Sequence, residues 1–303
     1  MPQSDDVKSQ IKLHFVVFLW GFTAILGDLI SLDSNPLVMY RMLIAVIGIY
    51  LFLKLVRKRN TGVSGNMRWK LYGAGSVIAI HWITFFHAIK ISNVSITLAC
   101  MGSTALFVSI IEPIFFKRKI AISEVLLGLL VVVGISTIFV SESDYSSGII
   151  VALISASLSA LFSVLNGLLV RKESPAVITV HELFGGWMLT VILLGVMITL
   201  GEREIESLIP TQMDWVYLLI LGTIATAYAF IQSVDVMKHL SPFTVVLTIN
   251  MEPVYGILTA YLLFGNSERM STEFYLGALI ILLAVVINGW LKRNRKRRTA
   301  AEQ

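Results

Sequence analysis

Residues Pro242–Phe264 read PFTVVLTINMEPVYGILTAYLLF. The run is apolar almost throughout. At about 1.5 Å per residue a helix of this length crosses the roughly 30 Å hydrocarbon core of a bilayer. Yet it places a carboxylate, Glu252, directly before Pro253, near its middle. A charge at that depth costs roughly 2.5–3.5 kcal/mol on insertion scales, so Glu252 requires a physical reason. A second acid–proline pair, Glu112-Pro113, lies in SIIEPIFF (109–116).

The rest of the chain has the same character. Of its 303 residues 56% are hydrophobic and 14% charged, with mean hydropathy +0.81; a soluble domain carries about 25% charge. Ten apolar runs stand out, roughly 11–30, 36–56, 69–89, 94–116, 123–141, 147–170, 176–200, 214–237, 242–264 and 272–291. They predict an all-α integral membrane protein with ten transmembrane helices. Pro36, Pro175 and Pro242 each open a run, where a missing N–H does no harm. Trp69, Trp215 and Trp290 sit at run ends, suited to the headgroup region. The first run is long for a signal sequence and is followed by no small-residue cleavage site, so it is read as a retained helix. The single cysteine, Cys100, permits no intramolecular disulfide.

Basic residues are distributed unevenly. With a cytoplasmic N-terminus, twenty of the 24 Lys and Arg fall on the cytoplasmic side, three (Lys90, Arg203, Arg269) outside, and Arg41 within a span. That bias predicts both termini inside, an even number of spans, and residence in the plasma (inner) membrane. The tail KRNRKRR (292–298) then meets lipid headgroups, and the bilayer rather than nucleic acid is the expected partner.

An internal repeat is also legible. SEVLLG (123–128) resembles TEFYLG (272–277) at an offset of 149, Lys90 pairs with Lys238 at 148, and Trp69 with Trp215 at 146. On this register Glu252 is the counterpart of Ser103 and Glu112 that of Tyr261, so the two Glu-Pro pairs are not mates. Halves at 1–145 and 146–303, five spans each, must lie inverted with respect to one another. That construction places a substrate site near the midplane between the halves.

At this point the chain resembles the drug/metabolite transporter superfamily, in particular its EamA-type members. The resemblance is carried by FLWGFTAILG (18–27), NPLVMYRMLIA (35–45), HWITFFHAIKISNVSITL (81–98), SIIEPIFFKRKI (109–120) and LTINMEPVYGILTAYLLFG (247–265). It implies a cavity lined by the first four helices of each half, with the fifth helices peripheral and available for a homodimer. It implies export of a small molecule without naming one. Where many relatives have Gly-Glu after the ninth span, this chain has Gly265-Asn266.

Buried polar groups supply the candidate site. Glu252, with Asn250 and Thr248 beside it and the Ile249 carbonyl freed by Pro253, is a candidate for a proton, cation or amine; the other reading is a structural ion pair. Arg41 can hold an anionic substrate group or serve as counter-charge to Glu252 or Glu182. His81 next to Glu252 would make a proton-sensitive pair, although a membrane histidine is often only packing. Glu182 follows His181 in HELFG (181–185), which lacks the second histidine of a zinc-protease motif, so it stays a cavity candidate. Glu112 lies one turn from Lys117 and reads as a snorkelling carboxylate or a cytoplasmic gate contact. Trp20, Trp187 and Tyr228 are candidate aromatic walls, and the Ala152, Ala156, Ala160 row permits close helix contact.

A secondary transporter moving a small metabolite, an amino acid or related compound, is therefore expected, proton-coupled through Glu252. Uptake of a sugar or other solute is the alternative. No P-loop occurs and no cofactor or metal is expected. An intramembrane enzyme would have to draw on His81, His181, Glu182 and Glu252, which follow no catalytic spacing.

Overall fold

In a bilayer core every backbone N–H and C=O must find a partner within the protein, and helices satisfy them locally. The computed structural model, which describes residues 2–58, 61–117, 119 and 122–301, is helical, with no strand among those residues. In chain order the helices are α1 (Pro2–Gly21), α2 (Thr23–Leu29), α3 (Ser34–Leu51), α4 (Gly65–Ile91), α5 (Val94–Met101), α6 (Thr104–Phe116) and α7 (Ile122–Ser141). They continue with α8 (Ser146–Leu169), α9 (Pro175–Thr199), α10 (Gln212–Gly222), α11 (Ala229–Val236), α12 (Pro242–Ile249), α13 (Glu252–Phe264) and α14 (Thr272–Ala301). Seven helical segments among the described residues are long and apolar enough to cross a membrane. Of the ten runs in the sequence, the other three correspond to shorter apolar stretches, 126–141 in α7 and 272–284 in α14, and to the divided segment α12–α13.

Helix α4 is the central strut, packed along α8 and α9. The approach is close because α4 and α9 meet through glycine: a Cβ on Gly75 would collide with the backbone of Glu182. Ser155, Ala156, Ser159 and Ala160 of α8 are all buried, as expected of a small-residue face that lets backbones approach. Helices α7 and α14 pair with one another, with Gly134 and Gly277 against each other's carbonyls.

Three segments that look continuous in sequence are broken, and a fourth is distended. The first breaks at Phe22 between α1 and α2, another at Gly102-Ser103 between α5 and α6, and a third at Asn250-Met251 between α12 and α13. Between α10 and α11 the chain widens into a π-turn, Thr223–Tyr228. Gly102 and Asn250 are 148 residues apart, within the offsets found between the two halves of the sequence. Pro253 accounts for one break: it lacks the N–H that would bond the Ile249 carbonyl. The other has no proline. There Ser103 Oγ donates to the Cys100 carbonyl (2.7 Å) and Thr104 Oγ1 to that of Met101 (2.7 Å). Pro113, by contrast, lies within the uninterrupted helix α6.

At one end of the bundle, carboxylates hold backbone and hydroxyl groups of distant segments. Asp214 accepts from Ser31 N (2.7 Å) and Ser31 Oγ (2.6 Å). Glu268 accepts from Val94 N (3.1 Å) and Ser95 N (2.8 Å), capping α5. Glu142 accepts from Ser271 N (3.1 Å) and Oγ (2.6 Å). At the opposite end Asp235 pairs with Lys238 (2.8 Å) and Lys12 (3.1 Å).

Candidate functional site

The breaks converge. A cavity of about 60 Å³ lies where α1–α2, α5–α6 and α12–α13 are interrupted, walled further by α3, α4, α8 and α11. Trp20, Thr23, Arg41, His81, Asn250 and Glu252 line it, together with Trp82, Phe85, Phe162 and Phe230. Two half-helices begin at this point, α6 at Thr104 and α13 at Glu252, so the positive ends of their dipoles face the cavity. The carbonyl ends of α5 and α12 terminate there as well. Such a crossing offers partial charge of both signs at membrane depth without a formal charge on the backbone.

Arg41 supplies the cation. It is 2% exposed, and its guanidinium carbon sits 3.7 Å from the centroid of Trp82 and 5.5 Å from that of Phe86. Nε donates to Thr226 Oγ1 at 2.7 Å, and Thr226 in turn donates to the Leu221 carbonyl, five residues back, at 2.6 Å. Trp20 Nε1 donates to the neighbouring Ala225 carbonyl at 2.9 Å. The π-turn is thus the anchor for both Arg41 and Trp20, because its wider winding gives up backbone and hydroxyl acceptors that an α-helix would use itself.

Glu252 opens α13, where the helix dipole favours a carboxylate. It lines the same cavity as Arg41 and lies within electrostatic reach of it, yet no ion pair within 4 Å joins them. Three more polar atoms here are buried without a hydrogen-bond partner: Thr23 Oγ1, Arg41 Nη1 and Asn250 Nδ2. Buried donors and acceptors are rarely left unpaired, so a cluster of them around one cavity marks a place for water or ligand.

His81 shares the cavity, but its Nδ1 is engaged by Ser155, 3.0 Å from the carbonyl and 2.8 Å from Oγ. A carbonyl only accepts, so Nδ1 carries the proton and Nε2 is the free acceptor of the neutral ring. His81 and Glu252, read from the sequence as a proton-sensitive pair, line the same cavity with no hydrogen bond between them, and α8 holds the ring through Ser155.

Other candidates lie elsewhere. Glu182 is fully buried between α8 and α9, facing Asn166 with the closer carboxylate oxygen at 2.6 Å once the amide is oriented to donate. It does not line the cavity. His181, its neighbour, turns to the Thr61 carbonyl at 2.7 Å. Tyr228 is 45% exposed, edge-on to Phe15 on the outside of the bundle, and Trp187 packs on Phe184. Glu112 is buried one turn before Lys117, which ends α6 in a left-handed conformation (φ 53°). Of His81, His181, Glu182 and Glu252, only His81 and Glu252 share the cavity. Among the described residues no group of three or more His, Cys, Asp or Glu could hold a metal ion.

Sequence reasoning missed Thr23, Thr104 and Thr226. Threonine is unremarkable in an apolar helix, and only its position at a break or π-turn gives it a role. The break at Gly102-Ser103 carried a signal, since Ser103 is the register counterpart of Glu252.

Comparison with known proteins bears on the whole chain. The EamA-like transporter family matches residues 10–140 and again residues 146–290. The chain belongs to the EamA-like transporter family. It is accordingly a multi-pass membrane protein of a family that transports small solutes. No curated protein matches it. Among solved structures, one described only as the crystal structure of a protein aligns with a TM-score of 0.66 at 16% identity, covering 94% of this chain and 98% of that one. That likeness speaks for the fold alone.

Proposed function

We propose that this EamA-like protein is a proton-coupled secondary transporter that exports a small zwitterionic metabolite, an amino acid or a close relative. Two inverted five-helix halves, ten spans in all with both termini in the cytoplasm, alternate access to the central cavity. The observation that carries the reading is that Arg41 and Glu252 line one membrane-depth cavity without an ion pair between them. A zwitterion completes such a site, its carboxylate beside the Arg41 guanidinium and its ammonium beside Glu252, with Asn250 and the Trp20 ring against its body. At roughly 10–15 Å³ of occupied volume per water the space holds only a few waters, so this is a contracted state that must widen to admit cargo. The half-helix joints give it the means, since α12 and α13 are linked by two residues rather than by a continuous helix. Glu252 takes up a proton or the substrate amine in turn, and the exchange shifts the balance between the two access states.

A stabilisation screen of the purified protein with amino acids, amines, sugars and nucleotides identifies the cargo; a sugar as the sole hit would favour the uptake permease. In liposomes, Glu252→Gln is expected to abolish flux driven by a pH gradient while counterflow exchange survives. Undiminished gradient-driven flux in that variant would remove the coupling role.

A further inference from the structure

A second and larger concavity lies on the flank of the bundle. This groove of about 390 Å³ runs between the end of α5, α13 and α14. Ala99, Gly102, Ile257, Ala278 and Ile281 form its floor and sides, and Leu258 and Leu279, 61% and 49% exposed, stand along its edges. Its lining is apolar except at its ends. Tyr261 and Tyr275 mark one end, and Asn250 with Pro253 the other. Asn250 is 4% exposed with Nδ2 unpartnered, and it walls both this groove and the central cavity.

The dimensions identify the occupant. Along α13 from Tyr261 to Pro253 is eight residues, roughly 12 Å at 1.5 Å per residue. Half of a roughly 30 Å hydrocarbon core is about 15 Å, so the groove spans most of one leaflet. Its tyrosine end lies near the loop that carries Glu268, where amphipathic rings suit the headgroup boundary. Its inner end reaches the joint between α12 and α13. The surrounding surface, with Leu262 73% and Leu276 52% exposed, is the apolar flank that a multi-pass protein presents to lipid, and the groove is continuous with it.

We propose that this groove is a binding site for one acyl chain of a bilayer phospholipid, seated with its carboxyl end near Tyr261 and Tyr275 and its methyl end against Gly102 and Pro253. The leaflet is the outer one on the orientation proposed above; the site itself does not depend on that orientation or on the transported cargo. The methyl terminus closes the flank of the α12–α13 joint, and only Asn250 and Pro253 separate it from the polar cavity. A bound chain therefore keeps lipid and cavity water apart at the point where the wall is thinnest.

The test is depth-resolved photolabelling of the full-length protein in nanodiscs of phosphatidylethanolamine and phosphatidylglycerol. A trace phospholipid carries a diazirine either at the acyl terminus or near the carboxyl, and adducts are mapped by mass spectrometry. Terminal probes are expected to concentrate on peptides containing Gly102 and Leu282, and carboxyl-proximal probes on those containing Tyr261 and Tyr275. Ala278→Phe fills the groove and should lower these adducts roughly tenfold, equivalent to about 1.4 kcal/mol, while labelling at Leu262 and Leu276 stays unchanged. Equal labelling of groove and flank, or loss of the depth order, means ordinary annular lipid and overturns the site. If Ala278→Phe does not fold, the excess of labelling on groove peptides over Leu262 and Leu276 in the unsubstituted protein decides alone.

Discussion

Arg41 is held by an aromatic face and by a hydroxyl that accepts from Nε, and its buried Nη1 has no hydrogen-bond partner. A lysine could supply the charge but neither the stacking nor the fork of donors. On the proposed function Arg41→Lys weakens cargo binding by about tenfold or more, since a hydrogen bond to a charged group is worth roughly 1.5–3 kcal/mol; ligand-induced stabilisation of the purified variant measures it. Glu182 has the opposite character. It is satisfied by Asn166 and away from the cavity. Glu182→Gln should leave both melting temperature and flux near those of the parent. Glu182→Ala, which strands the Asn166 amide and opens a void, should cost roughly 2–4 kcal/mol, read as a lower melting temperature in detergent. The two acids looked alike in the sequence because both stand in apolar runs. What separates them is Asn166, sixteen residues upstream of Glu182 on another helix, a partner that no periodicity announces. Glu252, Arg41, Asn250, Trp20 and His81 were legible as costly or amphipathic groups at membrane depth. The tie from His81 to Ser155 was not, because it depends on how closely α4 and α8 approach.

The elements that make the site are the interrupted ones. Pro253 pointed to a kink; the structure has a two-residue interruption at Asn250 and Met251, with Glu252 as the first residue of the next helix. Pro253→Ala restores the missing N–H and the possibility of a continuous helix through residues 242–264. Removal of a helix-interior proline is worth up to about 3 kcal/mol to the helix, so the variant is expected to keep or raise its melting temperature while turnover in liposomes falls. Equal turnover would show that the joint is not used in transport. The matching break at Gly102-Ser103 has no proline, and only the repeat register pointed there. The π-turn at Thr223–Tyr228 had no signal at all: its sequence, TIATAY, suits an ordinary helix, and its bonds to Trp20 and Arg41 join residues some 185–205 apart in the chain.

For the whole molecule, the apolar runs conveyed the helical, multi-pass character and the repeat register its two halves, because bilayer thickness and residue offsets are read one segment at a time. The pairing of helices was not legible, since it depends on glycine contacts such as Gly75 against Glu182. The proposed orientation is open to a direct check. Cys100 is buried, so the chain offers little thiol background. In intact cells a membrane-impermeant maleimide should label Glu206→Cys and spare Lys238→Cys; the reverse pattern would invert the topology. The two rims of the bundle also differ in how firmly they are fastened. Around Glu268, Asp214 and Glu142, anionic oxygens grip amide hydrogens, bonds of roughly 1.5–3 kcal/mol apiece. At the other rim, between Asp235 and Lys12, the tie is a half-solvated ion pair of about 0–1 kcal/mol. On the proposed function an idle molecule is thus lopsided: the mouth beside Lys12 yields first, and prising apart the rim held by Glu268 is work that bound cargo has to help perform.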